Sequence, residues 1–351
     1  MDFALSDEQE ALAEAERAWL TKNDPIAARR PGIDDGPART TPAGVRHLAE
    51  SGLIGLLTSD MGGTHVDLAV LVEEHGRAGS PLPVAELAIA ARLLEQLDHP
   101  AFGATESGAE LVVPALASLE NPAVHAQIDG GQLRLSGTTA PVTGLIDAHS
   151  ILFVATTDTG TEAAAVVPVD AVSIRTLDTL DLTRSWSVAD VDLTLEEGTW
   201  SALQPGTVTF VHDALATFRA MDALGAAARL VDMTVEYAGQ RTQFDQPIAS
   251  FQAIKHHCAN MALSVEAARA ALWAAAVALD GDDADTRTRA VSAAAAFTGD
   301  GASSTAQTAL QVHGGIGFTW EHDVHLLIRR IKVDELLDGS VSYHRRRLAA
   351  A

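Results

Sequence analysis

Arg241-Thr-Gln-Phe-Asp-Gln-Pro-Ile-Ala-Ser-Phe-Gln252 interrupts one long alanine-rich helical pattern and starts another. Upstream of it, Phe218, Met221, Leu224, Ala228, Val231 and Val235 recur at three- and four-residue spacing. That is one apolar stripe over roughly five helical turns. Pro247 punctuates the break, because a proline cannot continue a helical ladder. Downstream, Ile254, His257 and Met261 open a second helix, read from Phe251 to about Leu279. The turn Asp280-Gly281-Asp282-Asp283 leads to a third helix from about Thr286 through Val312. A shorter one spans Asp323 to Leu337, and a basic tail at Arg345–Arg347 closes the chain. Long helices joined by tight turns form an antiparallel bundle. The break itself carries a guanidinium, aromatic rings and amides, which predicts a ligand that is both charged and flat.

Residues 110–205 have a different character. Short β-prone runs occur at Leu111–Leu116, Leu133–Ser136, Ile151–Thr156, Ala164–Val169, Val172–Leu177 and Val188–Leu193, separated by turns such as Asp129-Gly130-Gly131. No helical segment separates them, so a βαβ dinucleotide fold is excluded. Residues 1–100 read as helical. Ser6 and Gln9 have the spacing of a capping box, Thr41-Pro42 starts a further helix, and the polar stretch 23–42 reads as a loop. The fold class is therefore α+β. An N-terminal helical domain (1–108) precedes a small middle β-sheet domain (109–205) and a C-terminal four-helix bundle (206–351).

At 351 residues the chain can bury a large core. Its composition, 47% hydrophobic but 5% aromatic, favours close-packed helices over an aromatic-rich sandwich. The net charge of −23 argues against nucleic-acid binding, which needs a basic surface. Cys258 is the one cysteine, so no intrachain disulfide forms and a cytoplasmic setting is expected. The acidic N-terminus lacks the features of a signal peptide, and no apolar run is expected to insert in a membrane.

The α–β–α order and two motifs together resemble the acyl-CoA dehydrogenase family. The motifs are Arg241-x-Gln243-Phe244-x-x-Pro247-Ile248-x-x-Phe251-Gln252 and Gln311-x-His313-Gly314-Gly315-x-Gly317-Phe318. Gly62-Gly63, Glu74-x-Gly76-Arg77, Leu135-Ser136-Gly137-Thr138 and Asp147-Ala148 extend the resemblance over almost the whole chain. It implies FAD as cofactor, an acyl-CoA substrate, an electron-transfer flavoprotein as electron acceptor, and a tetramer in which each flavin touches two subunits. By motif, Arg241 would meet the FAD pyrophosphate, and Phe244 and Gln252 its adenosine side. Gln311, Gly314 and Gly315 would serve the cofactor from the neighbouring subunit. The chemistry suits these roles: a guanidinium fork pairs with a diphosphate, and paired glycines admit backbone close to a ligand.

Three positions depart from the family pattern. Asp245 stands where the family usually carries glycine, and a carboxylate repels a diphosphate unless it points away. The β-domain signature is replaced by Ala117-Ser118-Leu119-Glu120-Asn121-Pro122, in which Ser118 is the candidate for a flavin hydrogen bond. The base is a shorter carboxylate, Asp338 in Asp338-Gly339-Ser340, where many members carry glutamate. The other position the family uses holds Ala214-Leu215-Ala216, with Asp213 off by roughly half a turn. Asp338 reads equally well as a loop acid capping a turn.

Other constellations are weaker. His256, His257 and Cys258 point in different directions on one helix and cannot grip an ion together. His322 and His325 lack a further ligand, so no metal is expected. Gly314-Gly315-Ile316-Gly317 follows no strand and is not a dinucleotide fingerprint. The resemblance implies two candidate functions. One is an FAD-dependent acyl-CoA dehydrogenase. The other is a catalytically silent subunit that completes the FAD site of a heteromeric (α2β2) dehydrogenase.

Overall fold

The computed structural model describes residues 5–33, 35–120 and 124–350. Six helices come first: α1 (Asp7–Asn23), α2 (Ile26–Ile33), α3 (Pro42–Glu50), α4 (His65–Ala78), α5 (Val84–Gln96) and α6 (Phe102–Glu106). The Ser6–Gln9 capping box forms, and Thr64 and Asp67 make a second one at the start of α4. Helix α2 corrects the expected loop at 23–42. Ile33 is buried and Arg29 and Arg30 are held by Asp24 and Asp323, so tertiary contacts override the turn-forming Pro31 and Gly32.

The middle segment makes two sheets. The first has the order β1 (Val112–Ala115), β5 (Ser150–Thr156), β6 (Glu162–Pro168), β9 (Ser201–Ala202). The second has the order β2 (Val124–Asp129), β3 (Gln132–Thr138), β8 (Trp186–Leu195), β4 (Val142–Thr143), with β7 (Ser173–Thr176) also on β8. All pairings are antiparallel except β1 with β5. Strand β2 was not predicted, because its outward residues are polar and only Ala126 on it is buried.

Helices α7 (Thr207–Gln240), α8 (Gln252–Leu279), α9 (Ala284–His313), α10 (Val324–Asp334) and α11 (Val341–Ala350) complete the chain. Between α7 and α8 a two-residue hairpin joins β10 (Thr242–Gln243) to β11 (Gln246–Pro247). The expected basic tail is in fact α11: Arg347 donates to the buried Asp213 at 2.5 Å, Arg346 to Glu120 at 3.0 Å, and Arg345 pairs with Asp300. One hydrophobic core runs from Val45 to Ile331 through all three segments.

Helices α4 and α7 meet backbone to backbone, which locks the first helical segment onto the bundle. A Cβ on Gly76 would lie 2.2 Å from the Asp222 carbonyl oxygen, and one on Gly225 would lie 2.1 Å from that of Glu73. Contrary to the sequence reading, helix α8 is an apolar run of membrane-crossing length, a test by length and composition alone that core helices of soluble proteins also pass. Its inner face carries Met261, Val265, Ala268 and Leu272 into the bundle, while Leu263 and Val277 remain exposed.

Candidate functional site

A cleft opens where the three segments meet. Glu86 of α5, the Leu116–Glu120 loop after β1, Pro141 and Val142, one face of α7, and the Leu336–Gly339 turn line it. On α7 the lining residues are His212, Leu215 and Arg219, spaced three and four apart so that one helical face serves the cleft. Ala214 and Ala216 are buried in the bundle. Asp213 points away from the cleft lining and is fully buried, bound by Arg347, Arg287 (3.2 Å) and Thr288 (3.2 Å).

Asp338 sits in this cleft in the left-handed backbone region (φ 54°). Its Oδ2 accepts from Arg219 Nε at 3.1 Å, and the same guanidinium donates to Glu86 Oε1 at 2.8 Å. Arg219 and Arg184 both lie over the buried Trp186 ring, at 4.7 and 4.8 Å. Behind them runs a buried ionic network. Arg184 reaches Asp181 (2.9 Å), Asp222 (3.2 Å) and Asp334, while Arg330 reaches Asp222 (2.6 Å) and Thr183 (2.7 Å). Burial, reinforced by Asp222, pushes the Asp334 carboxyl well above the usual carboxylate range. Burial acts on Asp222 in the same direction, but Arg184 and Arg330 override it and hold that carboxyl low.

Ser118 lines the cleft as well. Two residues further on, Glu120 accepts from the Ser340 backbone N–H at 3.1 Å, which staples the β-segment loop to the turn after Asp338. Asn121 and Pro122 lie outside the described residues. The sequence reading missed His212, Arg219 and Glu86. The signal that could have found His212 and Arg219 was their spacing on the same α7 face as Leu215. Burial pushes the His212 imidazole below its ordinary pKa, opposed by the carboxylates of Asp338 and Asp213 and reinforced by Arg347.

The two motifs singled out in the sequence meet at the opposite end of the bundle. Tyr237, one turn before Arg241, stacks on His313, which precedes Gly314. Arg241 caps α7, and the hairpin after it turns through Phe244 and Asp245, both left-handed (φ 53° and 62°). Phe244 is 86% exposed and Phe318 74% exposed. Arg241, Gln252 and Gln311 are exposed too. A Cβ on Gly314 (φ 60°) or Gly315 would meet nothing within 4 Å, so both glycines present bare backbone to open space. The His313 Nδ1–H donates to Ala309 O at 2.8 Å, and its buried Nε2 has no partner among the described residues.

A guanidinium, two carboxamides, bare glycine backbone, exposed rings and an unsatisfied buried acceptor suit a dinucleotide with phosphates, hydroxyls and a flat base. Asp245 is the one acidic group in the hairpin and is exposed. From Leu215 in the cleft to Arg241 are twenty-six residues of α7, about 39 Å at 1.5 Å per residue. One chain's cleft and its own Arg241 and Gly314 motifs therefore lie at opposite ends of a long helix.

Among the described residues no three metal-ligating side chains converge. His325 stacks on Trp320 with centroids 4.9 Å apart, and His322 Nδ1 accepts from the Val324 N–H at 3.3 Å.

A family model described as acyl-CoA dehydrogenase, C-terminal domain, matches residues 210–351. The chain is 32% identical over 363 residues to acyl-CoA dehydrogenase FadE34 of Mycobacterium tuberculosis, an alignment covering 99% of this chain and 48% of that protein. The chain thus spans about half the length of that relative. It is 30% identical over 291 residues to acyl-CoA dehydrogenase IpdE2 of Mycolicibacterium smegmatis, covering 82% of this chain and 79% of that one. Among solved structures, a chain of the ChsE4-ChsE5 complex from Mycobacterium tuberculosis shares the fold. The TM-score is 0.89 at 24% identity, over 100% of this chain and 98% of the other.

Proposed function

The chain belongs to the acyl-CoA dehydrogenase family, and from that membership we propose that it works in an FAD-dependent dehydrogenase that introduces an α,β double bond into an acyl-CoA thioester. The observation that carries this reading is the cleft at the junction of the three segments. It brings the Ser118 loop, one face of α7 and the Asp338–Gly339 turn together around one opening, with polar and apolar side chains facing it. FAD, when bound, supplies the two-electron acceptor that takes the Cβ hydrogen as hydride. The chain's own residues hold and orient: Arg241 pairs with the diphosphate, Phe244 and Gln252 contact the adenosine, and Gln311, Gly314 and Gly315 line the same portion. Ser118 serves the ring end from the cleft.

Because α7 separates the cleft from both motifs, the motifs of one chain serve the cofactor seated in another chain's cleft. This differs from the division by motif implied by the family resemblance, in which only Gln311, Gly314 and Gly315 act from the neighbour. The Tyr237–His313 stack supports it by fixing the two motifs side by side. An oligomer results, with the exposed apolar residues of α8 and the rings of Phe244 and Phe318 available for contact. A tetramer, an electron-transfer flavoprotein as acceptor and a cytoplasmic location belong to the same reading. The test is the absorption spectrum of the purified chain, alone and co-expressed with a neighbouring dehydrogenase chain, together with an acyl-CoA oxidation assay. A chain that holds no flavin and oxidises no acyl-CoA in either state would sink the proposal.

The second reading, a catalytically silent subunit in a heteromeric dehydrogenase, is favoured by the Arg219–Asp338 ion pair, which engages the expected base. The complex of ChsE4 and ChsE5 is an assembly of two different proteins, which makes the same arrangement a natural one to test here. A flavin-loaded homomer that is active without a second chain excludes it.

A further inference from the structure

We infer that His212, rather than Asp338, is the cleft residue that accepts the substrate's α-proton. The inference rests on the dehydrogenase reading and adds to it a catalytic group of a different chemical type.

The acidic side chains of the cleft are already engaged. Glu86 and Asp338 both accept from Arg219, whose guanidinium is itself packed over Trp186. Moving Asp338 out to meet a substrate would strip a buried guanidinium of one of its partners, a costly change inside protein. Aspartate is also one methylene shorter than the glutamate this position usually presents, and a base displaced by an ångström loses much of its advantage. Glu120 is bound to Ser340 and Arg346. His212 differs from all of these. It lines the cleft one turn before Leu215, and among the described residues its ring makes no hydrogen bond or ion pair.

The electrostatics of the site suit a neutral acceptor that becomes charged. Burial favours the neutral imidazole, which has a lone pair to offer near neutral pH. The charged groups facing it are Asp338, Asp213 and Arg347. The first two stabilise the imidazolium once it forms, and Arg347, itself paired to Asp213, opposes it. In this arrangement Asp338 is a positioning residue: it holds Arg219 and lends negative charge to His212. The division resembles the logic by which a carboxylate supports an imidazole base without itself taking the proton.

In the step, the Cα–H bond of the acyl thioester breaks and its proton goes to an imidazole nitrogen of His212. The electron pair left on Cα becomes the new π bond as the Cβ hydrogen departs with its two electrons to oxidised FAD. When Cβ is replaced by sulfur no hydride can leave, and the proton transfer is observed by itself. The pair then rests on the thioester enolate until a proton returns from the imidazolium.

The experiment uses that separation. The full chain, FAD-loaded and with its co-expressed partner where one exists, is incubated with methylthioacetyl-CoA in deuterium oxide. Loss of the α-proton signal is monitored by NMR across pH 5–9. Wild type is expected to exchange, with a rate that rises through an inflection below the ordinary histidine value. His212→Gln is expected to slow exchange by about a hundredfold or more, the usual scale of general-base catalysis, and to abolish the inflection. Asp338→Asn is expected to move the inflection and to slow exchange by less than His212→Gln does. Flavin absorbance and near-UV circular dichroism establish that each variant is folded and loaded, and His212→Asn is a second variant should His212→Gln fail to fold. Wild-type exchange rates in a folded, flavin-loaded His212 variant, or complete loss in Asp338→Asn alone, overturn the assignment. No exchange by wild type also overturns it. The dehydrogenase reading is judged separately, by bound flavin and acyl-CoA oxidation.

Discussion

Tyr237 and His313 stack with ring centroids 4.7 Å apart and planes 19° from parallel, joining the last turn of α7 to the last turn of α9. The contact fixes Arg241 and Gly314, each within four residues of it, at one end of the bundle.

Tyr237→Ala should loosen that end without unfolding the chain. An aromatic pair contributes about 0.5–1.5 kcal/mol beyond its burial, so FAD affinity should fall roughly two- to tenfold by the usual conversion. Flavin retention measured by absorbance titration checks it, and Tyr237→Phe should retain most of the wild-type affinity.

Asp245→Gly should stabilise the chain and tighten cofactor binding together. A two-residue hairpin with both central residues left-handed favours glycine and asparagine, and Phe244-Asp245 accepts strain there. Relief at one position is worth roughly 1 kcal/mol, to be measured by urea denaturation. The same change removes a carboxylate from beside the proposed diphosphate site. A parallel Asp245→Asn variant separates the charge effect from the backbone effect.

Arg330→Met should be severely destabilising. Arg330 is 1% exposed and holds Asp222 through two bonds of 2.6 Å, together with Thr183 and the Ser80 carbonyl. Removing one partner of a buried ion pair costs about 3–5 kcal/mol because it leaves the other charge uncompensated. Chemical denaturation checks the size. Asp222→Asn in the same background should recover part of the loss.

Stability should fall as pH drops below about 6.5. Burial holds His212, His313 and His344 below the ordinary value of 6.5. The unfolded chain then binds protons that the folded chain refuses. Stability from these groups is complete above the unfolded value and is lost as pH falls towards the folded values. Melting temperatures between pH 5 and 8 should be level at the upper end and decline at the lower. His344→Gln should reduce the slope.

The bundle was legible because Phe218 to Val235 and Ile254 to Met261 keep a helical period in uninterrupted runs. The end of the chain was not: Arg345–Arg347 look like a solvated tail until Asp213, Asp300 and Glu120 are brought to them from three distant segments. The same holds for the site. Arg241 and Gly314-Gly315 stood out by their resemblance to a family pattern, and that they meet at one end of the bundle is visible only in the fold. That Asp338 would be engaged by Arg219, 119 residues away in sequence, is a long-range fact that periodicity does not carry. His212 was hidden for a related reason, because a histidine beside Asp213 attracts notice only after the helical face turned to the cleft is known.

The meeting of Gly76 with the Asp222 carbonyl, and of Gly225 with that of Glu73, leaves the first helical segment no room to slide or hinge against the bundle. Ligand entry must therefore proceed through the short segments bordering the cleft, with the long helices acting as a stationary frame. Overall dimensions in solution should be the same before and after acyl-CoA binds, however slowly the ligand arrives.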